Sequence, residues 1–132
     1  MLKDANVMPT IAVKDLAVAR RFYVDKLGLE ATDSGEPSVL ALRSGSSMLM
    51  VYESQYAGTN KATAATWSVG KEIDKIVQDL KARGISFEHY DMPDIKTDAK
   101  GIMRGGNGEM GPKAIAWFKD PAGHILSVLQ EK

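Results

Sequence analysis

The spacing of apolar residues changes period several times along the chain, and each change predicts an element. In NVMPTIAVKD (6–15) apolar positions alternate in the manner of a strand. In LAVARRFYVDKLG (16–28), Leu16, Ala19, Tyr23 and Leu27 fall at helical spacing, with Asp15 placed to cap the helix and Gly28 to stop it. Three short strands are predicted next: LEATDS (29–34), SVLALR (38–43) and SMLMVYE (47–53). Turn residues such as Gly35, Pro37, Gly45 and Ser46 separate them.

The order then repeats. ATAATWSVG (62–70) reads as a strand, and KEIDKIVQDLKARG (71–84) as an amphipathic helix with Ile73, Ile76, Val77 and Leu80 on one face and Gly84 as its cap. Strands ISFEHY (85–90), KAIAWFK (113–119) and HILSVLQ (124–130) follow, so each half is β-α-β-β-β. Val13 matches Val69 and Gly28 matches Gly84 at an offset of 56, whereas Ser47 matches His124 and Val51 matches Val128 at 77. The offset grows by 21 residues within DMPDIKTDAKGIMRGGNGEMGP (91–112), a stretch rich in Gly, Asp and Pro. A loop this long inside a compact domain is usually functional or disordered. The expected fold class is α+β, a single domain over 1–132 with modules at about 5–55 and about 62–131.

The doubled pattern, together with Asp15-Leu16, Phe22-Tyr23 before Leu27-Gly28, and Phe118 before Asp120-Pro121 and Gly123, resembles the vicinal oxygen chelate superfamily. That group includes glyoxalase I, extradiol dioxygenases, and the fosfomycin- and bleomycin-resistance proteins. The resemblance spans essentially the whole chain, with one departure at His124, where Asn is commoner. It implies a curved, cup-shaped mixed sheet with helices outside and the ligand inside the cup. Some of the marks also have local physical reasons. Asp120-Pro121-Ala122-Gly123 has the residue chemistry of a type I turn, and Phe22 and Leu27 are placed to pack the helix on the sheet.

The resemblance further implies metal ligands, usually His, Glu or Gln, at Met8, Met50, Ala64 and Ser127. None is a good ligand for a hard or borderline divalent ion. Period-two alternation gives an independent view of the same strands. One face carries Ile11, Val13, Leu49, Val51, Trp67, Val69, Leu126 and Val128, as a face covered by helices should. The other carries Met8, Thr10, Ala12, Met48, Met50, Tyr52, Thr66, Ser68, Ile125, Ser127 and Leu129. Small, hydroxylated and flexible residues suit a cavity wall better than a filled core. Ser127 reads as a wall residue at a lost metal-ligand position; the bland alternative is a tight polar contact with no cavity.

Composition narrows the partners. Hydrophobic residues at 44% and charged residues at 26% describe an ordinary soluble globular chain. Seventeen basic side chains balance seventeen acidic ones, which offers no electrostatic reason to expect nucleic acid or an anionic membrane. With no cysteine, thiolate catalysis, thiolate metal sites and disulfides are excluded. MLKDANVMPT lacks signal-peptide regions, and no apolar run is long enough to span a bilayer, so a cytoplasmic protein is expected.

Other candidates weaken on inspection. GNGEMG (106–111) spells G-x-G-x-x-G, but Pro112 and a strand follow instead of a helix. A Ser127–His124–Asp120 set is opposed by turn crowding and by the opposite facing of strand positions 124 and 127. Tyr52, Glu53, Tyr56, Tyr90, Asp91 and Trp117 could form an aromatic and acidic rim for a planar or cationic ligand. Met103 and Met110 could close over it.

The function expected is that of a metal-free small-molecule-binding protein of the bleomycin-resistance type, with no cofactor. Its expected ligand contacts are Met8, Thr10, Met48, Met50, Tyr52, Thr66, Tyr90, Met103, Trp117 and Ser127. The resemblance also implies a homodimer. The rival is a metal-dependent lyase or dioxygenase using Glu53, His89, His124 or Glu109. A metal-independent isomerase or lyase would need Glu53 or Asp91 as a base.

Overall fold

Asp15 lies in extended backbone (φ −140°, ψ 114°), and its Oδ1 accepts hydrogen bonds from the N–H groups of Ala17 and Val18 at 2.9 and 3.1 Å. That cap starts α1 (Leu16–Arg20), which widens into π-helical turns over Arg21–Lys26. Successive side chains on a regular helix stand about 100° apart. The wider turn reduces that angle and lets the neighbouring rings of Phe22 and Tyr23 both be buried, edge-to-face at 5.0 Å.

The structure is a computed structural model that describes residues 2–4, 6–93, 95–105 and 113–130. The chain divides into two units, Met1–Thr59 and Asn60–Lys132. In the first, β1 (Thr10–Val13), β2 (Glu30–Thr32), β3 (Val39–Ser44) and β4 (Ser47–Glu53) form a sheet in the order β1-β4-β3-β2. The β1–β4 pair is parallel and the other pairs are antiparallel. Helix α1 packs on β3 and β4. Beneath it Ile11, Val13, Leu40, Leu42, Leu49 and Val51 are all buried.

The second unit contains β5 (Thr63–Ser68), α2 (Ile73–Ala82), the two-residue strands β6 (Asp91–Met92) and β7 (Ile95–Lys96), then β8 (Ile102–Arg104), β9 (Ala114–Lys119) and β10 (Ile125–Gln130). Its main sheet runs β5-β10-β9-β8, the same order as the first. Here α2 packs on β9 and β10, burying Ile73, Val77 and Leu80. The repeat extends to pairing register. Thr10 lies opposite Met50 and Thr66 opposite Ser127, so the sequence offsets of 56 and 77 superimpose the two parallel ladders. The α+β fold and the doubled β-α-β-β-β order are both present.

One strand was misplaced by the sequence pattern. Residues 85–90 form only a single bridge, Phe87 to Phe118, plus a bond from the Glu88 N–H to the Trp117 carbonyl at 2.8 Å. The edge of β9 explains why. Its residues Ala114, Ile115 and Ala116 are paired with β8, which comes from inside the predicted loop 91–112. Only the far end of β9 is left for the 85–90 segment, whose Ile85 and Phe87 are nonetheless buried. The predicted loop is therefore part strand, with a β6–β7 hairpin as well. GNGEMG, Glu109 and Met110 lie outside the described residues.

Between β9 and β10 the Asp120 turn forms as its residue types require. The Gly123 N–H donates to the Asp120 carbonyl at 3.0 Å, while Asp120 Oδ1 accepts from the N–H groups of Ala122 and His124 at 3.0 and 2.7 Å.

Gly101 and Gly105 both have positive φ, +86° and +71°. A Cβ on Gly101 would stand 2.9 Å from Phe87 Cβ, whereas one on Gly105 would meet nothing within 4 Å. Gly105→Ala is expected to cost the backbone penalty alone, about 1–2 kcal/mol. Gly101→Ala should cost that plus roughly 1–3 kcal/mol of overpacking. Urea denaturation of the two variants measures the difference, and equal losses would refute the close approach at Phe87.

Candidate functional site

Strand register decides which side chains share a face. In the first unit Thr10 is opposite Met50 and Ala12 is opposite Tyr52, with Met48 two residues along β4 on the same side. This face is accessible: Thr10 is exposed, Met48 and Met50 are half-buried, and Tyr52 keeps 39% of its surface. Met8, two residues before β1, is 53% exposed. The sheet is thus sealed on its helix side and available on the other.

In the second unit Thr66, Ser127 and Trp117 stand in register across β5, β10 and β9. Met103, Ile115 and Leu129 line up on the same side. Tyr90 sets its ring edge-on to Trp117 at 5.5 Å. Of the ten contacts expected from sequence, the first unit brings Thr10, Met48, Met50 and Tyr52 onto one face, and the second brings Thr66, Met103, Trp117 and Ser127 together with Tyr90 beside them. Ser127 is fully buried, and its hydroxyl lies 2.7 Å from that of Thr66, the exposed member of the pair.

Tyr90 is held by residues that the sequence pattern did not single out. Its N–H donates to Thr97 Oγ1 at 2.9 Å, and the Thr97 N–H returns to the Tyr90 carbonyl at 3.0 Å, closing the base of the β6–β7 hairpin. Burial, and then the Glu88 carboxylate, push the Tyr90 phenol up, with Lys119 opposing. The ring therefore stays neutral at physiological pH. Glu88 is itself paired with Lys119 at 3.4 Å.

Strand β8, which carries Met103, is tied to α2 by Arg104. The guanidinium reaches Asp74 at 2.6 Å and Asp98 at 3.3 Å, and Asp98 Oδ1 also accepts from the N–H groups of Lys100 and Ile102 at 2.9 Å each. The bond from Arg104 holds the Asp74 carboxyl below the usual carboxylate range. At Asp98 burial pushes upward, but the Ile102 and Lys100 amides and then Arg104 outweigh it. Arg104 is itself raised, first by Asp74. Asp74 and Arg104 are 30 residues apart in the chain, and nothing in the local pattern announces the pair.

The four positions where the resemblance implies metal ligands do not fit a divalent ion. Met8 and Met50 offer thioethers, Ala64 offers nothing and sits where the β5–β10 register shifts, and the Ser127 hydroxyl is committed to Thr66. Among the described residues no group of three His, Cys, Asp or Glu could hold a metal. Glu53, the rival ligand or base, accepts the Leu16 N–H at 3.0 Å and so shares the start of α1 with Asp15. It also borders an open hollow of about 460 Å³ with Lys14, Ser54 and Gln55. His89 is exposed; His124 is buried just after the turn.

The model of the Glyoxalase/Bleomycin resistance protein/Dioxygenase superfamily matches residues 6–128. The chain belongs to this superfamily. Lactoylglutathione lyase from Agrobacterium tumefaciens shares 20% identity, with 96% of this chain and 93% of that one covered and a TM-score of 0.69. The fosfomycin resistance protein FosX from Listeria monocytogenes, complexed with Mn(II) and sulfate, shares 13%, covering 100% and 93%, at 0.70. TnmS3, an antibiotic binding protein from Streptomyces sp. CB03234, shares 15%, covering 100% of both chains, at 0.65. At these identities the likeness shows the fold alone. No curated protein sequence matches the chain. No helix among the described residues is long and apolar enough to cross a membrane.

Both carboxyls of the Arg104 cluster are depressed, so the cluster's contribution is fully present above the unfolded carboxylate pKa near 3.9 and is lost as pH falls through the lower folded values. The groups are largely exposed, so the contribution is at most about 1 kcal/mol. Arg104→Met should lower stability at pH 5–7 by up to that amount and flatten the decline below pH 4. An unchanged stability–pH profile would show that the cluster contributes nothing.

Proposed function

We propose that this member of the superfamily is a metal-free binding protein for a small organic molecule, with contact residues on the sheet face that the helix leaves uncovered in each unit, each unit taken by itself. The observation that carries the reading is the chemistry of those faces. At the four positions where the resemblance implies metal ligands they carry the thioethers of Met8 and Met50, the methyl of Ala64 and the Ser127 hydroxyl, whereas catalysis by a divalent ion would need imidazole or carboxylate. Thioethers adapt to irregular apolar shapes, and Trp117 with Tyr90 suits a planar ring. Binding of a small organic molecule also agrees with what TnmS3 is named for, an antibiotic binding protein on the same fold. The functional form in this reading is a homodimer, as the resemblance implies, in the cytoplasm, as the absence of signal-peptide regions in MLKDANVMPT suggests. The enzyme reading that uses Glu53 must share it with the start of α1, where one of its oxygens accepts the Leu16 N–H.

Native mass spectrometry of protein purified without chelator or affinity metal, set against the denatured mass, is the direct test. A dimer free of metal, with or without an organic adduct, is the expected result. One stoichiometric divalent ion per chain would overturn the reading. Glu53→Gln keeps an oxygen that can accept the Leu16 N–H and loses only the charge, so it should lower stability by about 0.3–1 kcal/mol while retaining the affinity for any adduct found. Loss of a metal-dependent turnover in that variant would favour the enzyme.

A further inference from the structure

The contact between Thr66 and Ser127 has a direction. At 2.7 Å either oxygen could be the donor, and burial decides between them. Each hydroxyl has one proton to give and two lone pairs to receive with. An idle lone pair inside a protein is tolerated, whereas a buried proton with no acceptor forfeits its hydration without return. Ser127 is fully buried, and Thr66 is its side chain's hydrogen-bond partner among the described residues. Thr66 is exposed and can turn its own proton outward. The arrangement that leaves no proton stranded has Ser127 donating and Thr66 accepting.

We infer that Thr66 offers its hydroxyl proton on this face as a hydrogen-bond donor set by Ser127, and that the ligand carries a neutral acceptor oxygen, such as a carbonyl, on an apolar or aromatic frame. The inference rests on the binding reading above and narrows its ligand class. Trp117, in register with Ser127, and Met103 supply the apolar part of the face. A neutral acceptor matches the charged pair beside Tyr90. Glu88 and Lys119 pair with each other, and a carboxylate placed here would lose hydration with no free cation from that pair to replace it.

The repeat supplies an internal contrast. Thr10 holds the equivalent position in the first unit, but its hydroxyl donates to the Met8 carbonyl at 3.2 Å and faces Met50 in place of a second hydroxyl. Thr10 has spent its proton on its own backbone. Thr66 has not.

Two measurements test the inference. Neutron diffraction from deuterium-exchanged crystals locates the hydroxyl deuterons. A Ser127 deuteron aimed at Thr66 Oγ1 is expected, and a Thr66 deuteron aimed at Ser127 overturns the inference. NMR titration then compares 2-acetylnaphthalene with 2-isopropylnaphthalene, which share a shape and differ in the carbonyl. The wild type should bind the ketone about five-fold more tightly, the worth of one net hydrogen bond. Thr66→Val should remove that preference, so that the variant binds the two probes equally. Because Thr66→Val strands the Ser127 proton, Thr66→Val/Ser127→Ala serves as the second variant, with the same loss expected. Equal affinities in the wild type, or a preference that survives either variant, overturn the inference and leave the binding reading standing. If neither probe shifts resonances of this face, the binding reading falls and the ligand class with it.

Discussion

The arrangement of both units depends on a parallel pairing between the strand before the helix and the last strand of the same unit. β1 and β4, like β5 and β10, run the same way, and such a pair cannot be joined by a tight turn. The intervening chain must cross over, and the helix in it packs on one face of the sheet. Burial of Val13, Leu42, Val51, Leu126 and Val128 then locks the register, because a slip of one residue would turn these side chains away from the helix. At roughly 1.5–3 kcal/mol for each fully buried aliphatic side chain, the alternative registers are strongly disfavoured. With one face covered by the helix, the other presents Thr10, Met48, Met50 and Tyr52 in the first unit and Thr66 in the second, where Ser127 and Trp117 are buried.

The second unit shows how much insertion this scheme tolerates. Twenty-one extra residues leave the parallel ladder in the repeat-equivalent register, and the insertion supplies its own edge strand, β8. That strand is secured by unrelated devices. Gly101 lets the chain pass against Phe87, Lys81 donates to the Lys100 carbonyl at 2.8 Å, and Arg104 reaches back to α2. Each contact is modest, and together they fix Met103 on the same side as Trp117 and Ser127.

Membership of the superfamily fixes the fold and leaves the site to this chain's own residues. At the four positions where the resemblance implies metal ligands, this chain carries two thioethers, a methyl group and a hydroxyl bonded to Thr66. Glu53 and Asp120, two carboxylates that attract attention in the sequence, do structural work by holding the start of α1 and the β9–β10 turn. On the second unit's face that carries Trp117 and Met103, the Thr66 and Ser127 hydroxyls pair with each other.

Much of this was legible in the sequence because the signals are local. Asp15 capping Ala17 and Val18, the Asp120 turn, the two helices and most strands involve groups within a few residues of one another, so spacing and residue type suffice. The repeat offsets carried further, since the same local pattern written twice must pair in the same register. The tertiary structure decided what depends on competition between distant groups. Residues 85–90 look as much like a strand as 102–104 do not, yet the limited edge of β9 went to the latter. Glu53 reads as a candidate base until Leu16, 37 residues away, claims one of its oxygens. Ser127 was placed on the right face by alternation alone. Its complete burial, and Thr66 as its partner 61 residues away, required the folded sheet, because a hydroxyl's role is set by which acceptor packing leaves within reach.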